Sequence, residues 1–251
     1  MHKNAVWRHN SHSSGAALST IDQSLLLAGH LIASFDPKLV EVVYLSLAVS
    51  LTATLLAACI GLPLGAAIAV ARFPGRGAVI ATLNALMGLP PVVVGLLVYL
   101  LLSRAGPLGS LGLLFTPQAM VIAQTILIAP ILAALSRQVV EDAWAEYREQ
   151  LKSLGSTTFG SALTLLWDVR YSLATVLLAG FGRAIAEVGA VMIVGGNIDG
   201  VTRVMTTTIA LETSKGDLPL ALGLGIVLIA IVLLLNFAAQ STRTWARARF
   251  G

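Results

Sequence analysis

RQVVEDAWAEYREQLKSLGSTTFGSALTLLWDVRY, from Arg137 to Tyr171, is a charged amphipathic stretch between two segments apolar enough to cross a bilayer. Val140, Trp144, Tyr147, Leu151 and Leu154 recur at helical steps and share one face. Glu141, Asp142, Glu146, Glu149, Gln150 and Lys152 take the other face. Gly155 stands where a helix needs a left-handed C-terminal residue, and Ser156 can cap the helix that follows. The stretch predicts a water-exposed helix–turn–helix held between membrane spans. Such an element offers a grip to something outside the membrane.

The flanks set the solvent. Of 251 residues, 57% are hydrophobic and 11% charged, against about 25% charged in ordinary globular domains. Mean hydropathy is +0.86. A water-soluble core of this size cannot hide that much apolar surface, so lipid must be the solvent. The net charge of +4 is too small to imply nucleic acid. The single cysteine, Cys59, lies within an apolar run, so no disulfide framework or thiolate cluster is available.

Five spans follow. Glu41 and Arg72 bracket 30 uncharged residues, more than the roughly 20 that cross the hydrocarbon. Arg76 and Arg104 bracket 27, interrupted by Pro90-Pro91. The third runs over Pro117–Ser136, the fourth over Leu173–Gly195 and the fifth over Pro219–Ala238. Placing Arg72–Gly77, Arg137–Ser172 and Gln240–Gly251 on one side collects nine Lys and Arg there, against three in the opposite short loops. This bias puts the insert and the C-terminus in the cytoplasm and the N-terminus outside, although Lys3, Arg8 and Lys38 of the tail oppose it. Leu25–Phe35 is apolar but short, and able to lie along the membrane surface. All four histidines (His2, His9, His12, His30) fall in this tail, where disorder outweighs a metal site as the reading.

Arg183 and Glu187 stand four apart inside the fourth span, and so on one helical face. Each charge costs about 2.5–3.5 kcal/mol at the bilayer centre, while the span's Leu, Ile, Val and Phe residues return only about 3–6 kcal/mol. The two charges must therefore pair and be buried. A structural ion pair is favoured over the lining of an anion pathway, because pairing cancels the positive charge an anion would seek. Small residues at Gly61–Gly65, Gly88–Gly95, Gly180–Ala184 and Ala186–Ala190 allow close helix contact. Between the fourth and fifth spans, Gly196–Asp217 reads as an outer loop. Thr202, Thr206, Thr207, Thr208 and Ser214 offer hydroxyls and Arg203 a charge, suited to an oxyanion, to a docked partner or simply to water.

No glycine-rich phosphate loop precedes any lysine, and no HExxH, CxxC or GxSxG occurs. If solute moves uphill at the expense of ATP, another subunit hydrolyses it. A lipid-handling membrane enzyme would need convergent His, Asp or Ser groups at one membrane face. An ion-driven secondary transporter usually shows a repeated half, which five unequal spans do not.

The insert resembles the cytoplasmic loop of importer-type ABC transporter permeases, whose pattern is E-A-A, three residues, Gly, nine residues, I-x-L-P. Glu149-Gln150-Leu151 stands for the first triplet, Gly155 for the glycine, and Leu165–Asp168 for the end, where the Leu-Pro is missing. AGFGRAIAEVGAVMIVGGNIDGVTRVMTTTIALETSKGD (Ala179–Asp217) is similar to the permeases of tungstate ABC transporters and, more distantly, to molybdate and sulfate permeases. Arg183, Ala184, Glu187, Gly189 and Ala190 meet the R-A-x-x-E-x-G-A pattern of those relatives, and Gly195–Ile198, with Asn197, resembles the tungstate branch.

The resemblance implies an all-α polytopic membrane protein, the five-helix core of a type I ABC importer permease with a cytoplasmic coupling helix. Residues 1–38 would form an extracytoplasmic tail, 39–240 the transmembrane domain with its coupling loop at 137–172, and 241–251 a cytoplasmic tail. Two copies in the inner membrane of a prokaryote would carry an oxyanion, most readily tungstate, with molybdate or sulfate as the alternative. Two ATPase subunits using ATP and Mg would drive them, an external oxyanion-binding protein would deliver the substrate, and lipid would surround the whole. This chain itself would bind no cofactor or metal and catalyse nothing. Trp144, Tyr147, Glu149, Leu151, Leu154 and Gly155 would couple to the ATPase. Arg183, Glu187, Asn197, Thr206, Thr207 and Thr208 would line the pathway or pair helices.

Overall fold

The computed structural model describes residues 11–250, and among them every regular element is helical: ten α-helices and one short 3₁₀ turn, with no strand. α1 is Ser11–Ala33, α2 Pro37–Val70, α3 Arg76–Met87, α4 Pro91–Leu102, α5 Pro117–Ser153, α6 Thr158–Asp168, α7 Arg170–Ile185, α8 Gly189–Gly195, α9 Met205–Lys215 and α10 Leu218–Phe250. His2 and His9 lie outside the described residues. From Ser11 onward the tail is helical, and Ala28 of α1 is buried against Gly223 of α10.

α2 and α5 form the spine. The Asp36 carboxylate accepts from the Lys38 and Leu39 amides at 3.0 and 3.2 Å, and Pro37 takes the first helical position. The two helices touch because Gly61 and Gly65 carry no side chain. A Cβ at Gly61 would come within 2.8 Å of the Ala129 carbonyl oxygen. One at Gly65 would run into Ser136 Oγ, the Ala133 carbonyl and the Arg137 amide. The small-residue spacing thus serves tight packing. Around this contact Ala57, Ala123, Ile128 and Leu132 form a core completed by Val94, Ala184 and Val191.

Among the described residues three helices are long and apolar enough to span a membrane: Pro37–Val70, Pro117–Ser153 and, within α10, Leu218–Thr242. The other spans read from the sequence are not straight. The second is two helices meeting at 96°. Pro90 is extended (φ −63°, ψ 122°) because a residue before proline is pushed out of the helical region, and Pro91 starts α4. The fourth, expected over Leu173–Gly195, breaks at Ala186–Val188 into α7 and α8, and α7 itself meets α6 at 77°. The third is longer than expected. No glycine or proline lies between Pro130 and Ser153, so the span and the amphipathic helix are one rod of 37 residues, about 55 Å long.

Gly196–Asp217 is only partly loop, because Met205–Lys215 forms α9. The C-terminal halves of α2 and α5, together with α6, meet at one end of the molecule. The start of α2 (Leu39, Val42) meets Met205 and Leu224 at the other.

Candidate functional site

Two regions concentrate the residues singled out above: the elbow joining α5 to α6, and the break between α7 and α8.

At the elbow α5 ends in two nested backbone bonds, Ser156 N–H to Leu151 O and Gly155 N–H to Lys152 O, each 3.0 Å. They require the left-handed backbone that Gly155 supplies at φ +71°. The cap of α6 is Thr157, not Ser156. Thr157 Oγ1 accepts from the Gly160 amide at 3.1 Å, and Ser156 instead accepts from the Ser161 hydroxyl at 3.1 Å.

The apolar face of the insert turns inward. Val140, Ala143, Ala162 and Leu165 are buried against Ala66, Ala69 and Val70 at the end of α2, and Trp144, Tyr147 and Leu151 pack half-buried around them. Leu154 departs from that face. The helix has ended at Ser153, so Leu154 swings out and is 81% exposed. Glu149 is exposed as well. Trp144, Tyr147 and Leu151 thus bind the elbow to the body, whereas Glu149, Leu154 and Gly155 occupy its outer surface. Beside Tyr147, the Glu146 carboxylate raises the phenol's pKa above its ordinary value, by its charge first and by a hydrogen bond second.

Phe159, Leu163 and Trp167 of α6 form an outward stripe, 80%, 61% and 74% exposed. The sequence reading missed it, although its i, i+4, i+8 spacing was visible. Also missed was the anchor beneath the elbow. Glu141 accepts from Arg76 at 2.8 Å and from Arg137, one turn back on α5. Arg76 further donates to the carbonyls of Ile68 and Ala69 at 2.9 and 3.4 Å, closing the end of α2. The loop at 71–75 and the insert therefore lie on the same side.

At the α7–α8 break, Arg183 Nη1 donates to Glu187 Oε2 at 2.7 Å. Glu187 is not inside a helix as expected. Its side chain is 5% exposed, and its other oxygen accepts from the Ala190 amide at 3.2 Å, so the carboxylate also holds the first turn of α8. The Arg183 side chain is 43% exposed. Gln124 Nε2 donates at 3.0 Å to the Ala184 carbonyl, which also accepts from the Glu187 amide at 3.1 Å, so α5 is tied to the turn that ends α7.

The threonines turn inward. Thr206 Oγ1 donates to the Glu187 carbonyl at 2.7 Å, Thr208 Oγ1 to Val204 O at 2.7 Å, and Thr207 Oγ1 to Val204 O at 3.1 Å. All three are buried. Their hydroxyl protons are committed within the chain, so they do not form the open set of oxyanion donors that the loop reading allowed. Asn197 stands apart from them with φ +51°. Its carbonyl accepts from Arg203 at 3.4 Å, and its buried Oδ1 has no partner.

Glu141 ties the elbow to α2, Glu187 and Thr206 tie α7, α8 and α9 together, and the elbow presents an open outer surface.

Comparison with known proteins is consistent with this geometry. The chain is 43% identical over 218 residues to a probable anion ABC transporter permease protein of Haloferax volcanii, covering 85% of this chain and 94% of the relative. It is 41% identical over 221 residues to the tungstate uptake system permease protein TupB of Peptoclostridium acidaminophilum, covering 88% and 97%. The sulfate transport system permease protein CysT of Escherichia coli is more distant, 26% identical over 223 residues. Among solved structures, a chain of the MetNI methionine ABC transporter in an inward-facing conformation shares the fold. Its TM-score is 0.56 at 20% identity, over 82% of this chain and 95% of that one. No sequence-family model matches.

Proposed function

This chain belongs to the anion-type ABC transporter permeases, the family that includes tungstate uptake permeases, and from that premise we propose that two copies form the membrane passage for tungstate. It is a multi-pass membrane subunit. A separate ATPase, using ATP and Mg, docks against the elbow of each copy from the cytoplasm, and an external binding protein hands over the oxyanion. The membrane is the inner membrane of a prokaryote, with the N-terminus outside and the C-terminus inside.

One observation carries the coupling role. The elbow is bound rigidly to α2 and α5 through Val140, Trp144 and Glu141, yet it leaves Leu154 and Phe159 almost fully exposed beyond that core. A surface so built transmits a push. Closure of the ATPase dimer would move both elbows, and α5 would carry that motion the length of its rod, opening the passage outward; hydrolysis would reverse it. Arg183 and Glu187 would border the passage at the dimer axis, where pairing keeps the carboxylate from repelling an anion. Substrate choice would rest mainly with the binding protein.

The test is reconstitution of the chain with its ATPase and binding protein in liposomes. ATP-dependent tungstate uptake that outcompetes molybdate and sulfate is expected. Uptake that prefers sulfate or molybdate selects the alternative substrate, and failure of any ATPase subunit to copurify defeats the reading. Modification of Lys152 from the external medium would reverse the orientation.

A further inference from the structure

An open groove of about 830 Å³ lies between α2 and α6 and is lined by Cys59, Leu62 and Pro63 on one wall and Leu163, Leu166 and Trp167 on the other. We propose that one acyl chain of a membrane phospholipid occupies this groove as a bound lipid, with its headgroup at the Trp167–Arg170 edge. The site is independent of which anion is transported.

Three observations point to lipid. The α2 wall continues into an exposed row, Leu51, Leu55, Leu56, Ile60 and Leu64, on a helix whose residues 42–71 carry no charge, so the groove opens onto the membrane-facing surface. α6 is apolar on both sides. Ala162 and Leu165 fill the core, while Leu163 and Trp167 face out, 61% and 74% exposed. The rim has the chemistry of a membrane–water interface. The Arg170 guanidinium stacks 5.1 Å from the Trp167 ring and 4.6 Å from that of Tyr171. An indole, a phenol and a cation at one edge of an apolar slot suit a phosphate above and a hydrocarbon tail below. The volume falls in the range of about 300–1,000 Å³ usual for small-molecule sites. An acyl chain lying there would fill the space between α2 and α6, so the elbow would move with a lipid wedged behind it.

The assembled transporter in nanodiscs containing a phospholipid with a photoactivatable acyl chain tests this. Irradiation should give adducts at 58–63 and 163–167 several-fold above those on the exposed α10 row Leu233, Leu234 and Phe237, which meets bulk lipid. Cys59→Trp fills the groove from an exposed position. It should abolish the excess at 163–167 and leave the α10 adducts and the folded state unchanged. Adducts no more frequent in the groove than on α10, or an excess untouched by Cys59→Trp, would overturn the proposal. So would crosslinks from Cys59 to the ATPase or to a second copy in place of lipid.

Discussion

Arg76 places its Nη2 atom 2.8 Å from Oε1 of Glu141, although 65 positions separate the two residues in the chain. The bond joins the first residue of α3 to the extension of α5. Glu141 also serves Arg137, whose residue is 8% exposed and whose Nε has no partner. Removing the carboxylate therefore strands a nearly buried cation, whereas removing Arg76 strands no charge, because Glu141 keeps Arg137. Glu141→Gln should cost about 1–3 kcal/mol, and Arg76→Ala about 1 kcal/mol or less. The double variant should fall short of their sum, because the two share one contact. Thermal unfolding in nanodiscs measures all three, and a Glu141→Gln protein as stable as the parent would contradict this account.

The same asymmetry governs the charge pair at the α7–α8 break. Glu187 is the buried member and Arg183 the half-exposed one. Arg183→Ala leaves a carboxylate in the interior without its counter-charge, so its cost should approach the roughly 3–5 kcal/mol of a broken buried pair. Glu187→Gln leaves an exposed guanidinium and keeps an acceptor for the Ala190 amide, and it should cost clearly less. Unfolding midpoints in the reverse order would mean that the carboxylate is solvated in the assembly.

Those two anchors show what the sequence could and could not disclose. Arg183–Glu187 was readable from its spacing of four, and Gly155 from the apolar run that stops before it. The partnership of Arg76 with Glu141 was not, because nothing local in an arginine that opens a helix says which distant carboxylate it will meet. The fourth span looked continuous because Arg183 and Glu187, its two charges from Leu173 to Gly195, stand at a helical spacing in an otherwise largely apolar stretch. At its break Gln124 and Thr206 bond from other helices to the Ala184 and Glu187 carbonyls, contacts that no local pattern announces. The threonines read as open donors because polarity alone does not say whether a hydroxyl faces solvent or a carbonyl. The outer stripe of α6 went unread because the inward face of the insert already accounted for its apolar residues.

Close approach of α2 to α5 gives a steric prediction. A methyl group at Gly65 would sit 2.8 Å from the Arg137 amide nitrogen and press on the Ala133 carbonyl, both backbone and unable to move aside. Gly65→Ala should destabilise by about 1–3 kcal/mol, the usual cost of overpacking. Gly77→Ala, in α3 with open space around it, should be neutral. Equal effects from the two, read as thermal midpoints, would mean that the spine is looser than described.

Surface and strut can be told apart at the elbow by two substitutions with opposite profiles. Phe159 is 80% exposed and contributes little to the interior, so Phe159→Asp should leave the unfolding midpoint unchanged. If the ATPase bears on this surface, the same change should abolish both ATP-driven uptake and the stimulation of hydrolysis by the loaded binding protein. Trp144 packs into the junction of α2, α5 and α6, so Trp144→Ala should lower the midpoint, by up to about 3–5 kcal/mol for a fully buried aromatic and less for this half-buried one, and lose uptake with it. Gly155→Ala falls between them. Nothing lies within 4 Å of its added methyl, and only the positive φ resists, at about 1–2 kcal/mol. It should therefore weaken coupling without unfolding the chain. Uptake at the parent rate by Phe159→Asp would remove the elbow's outer surface from the coupling mechanism, whatever became of the other two.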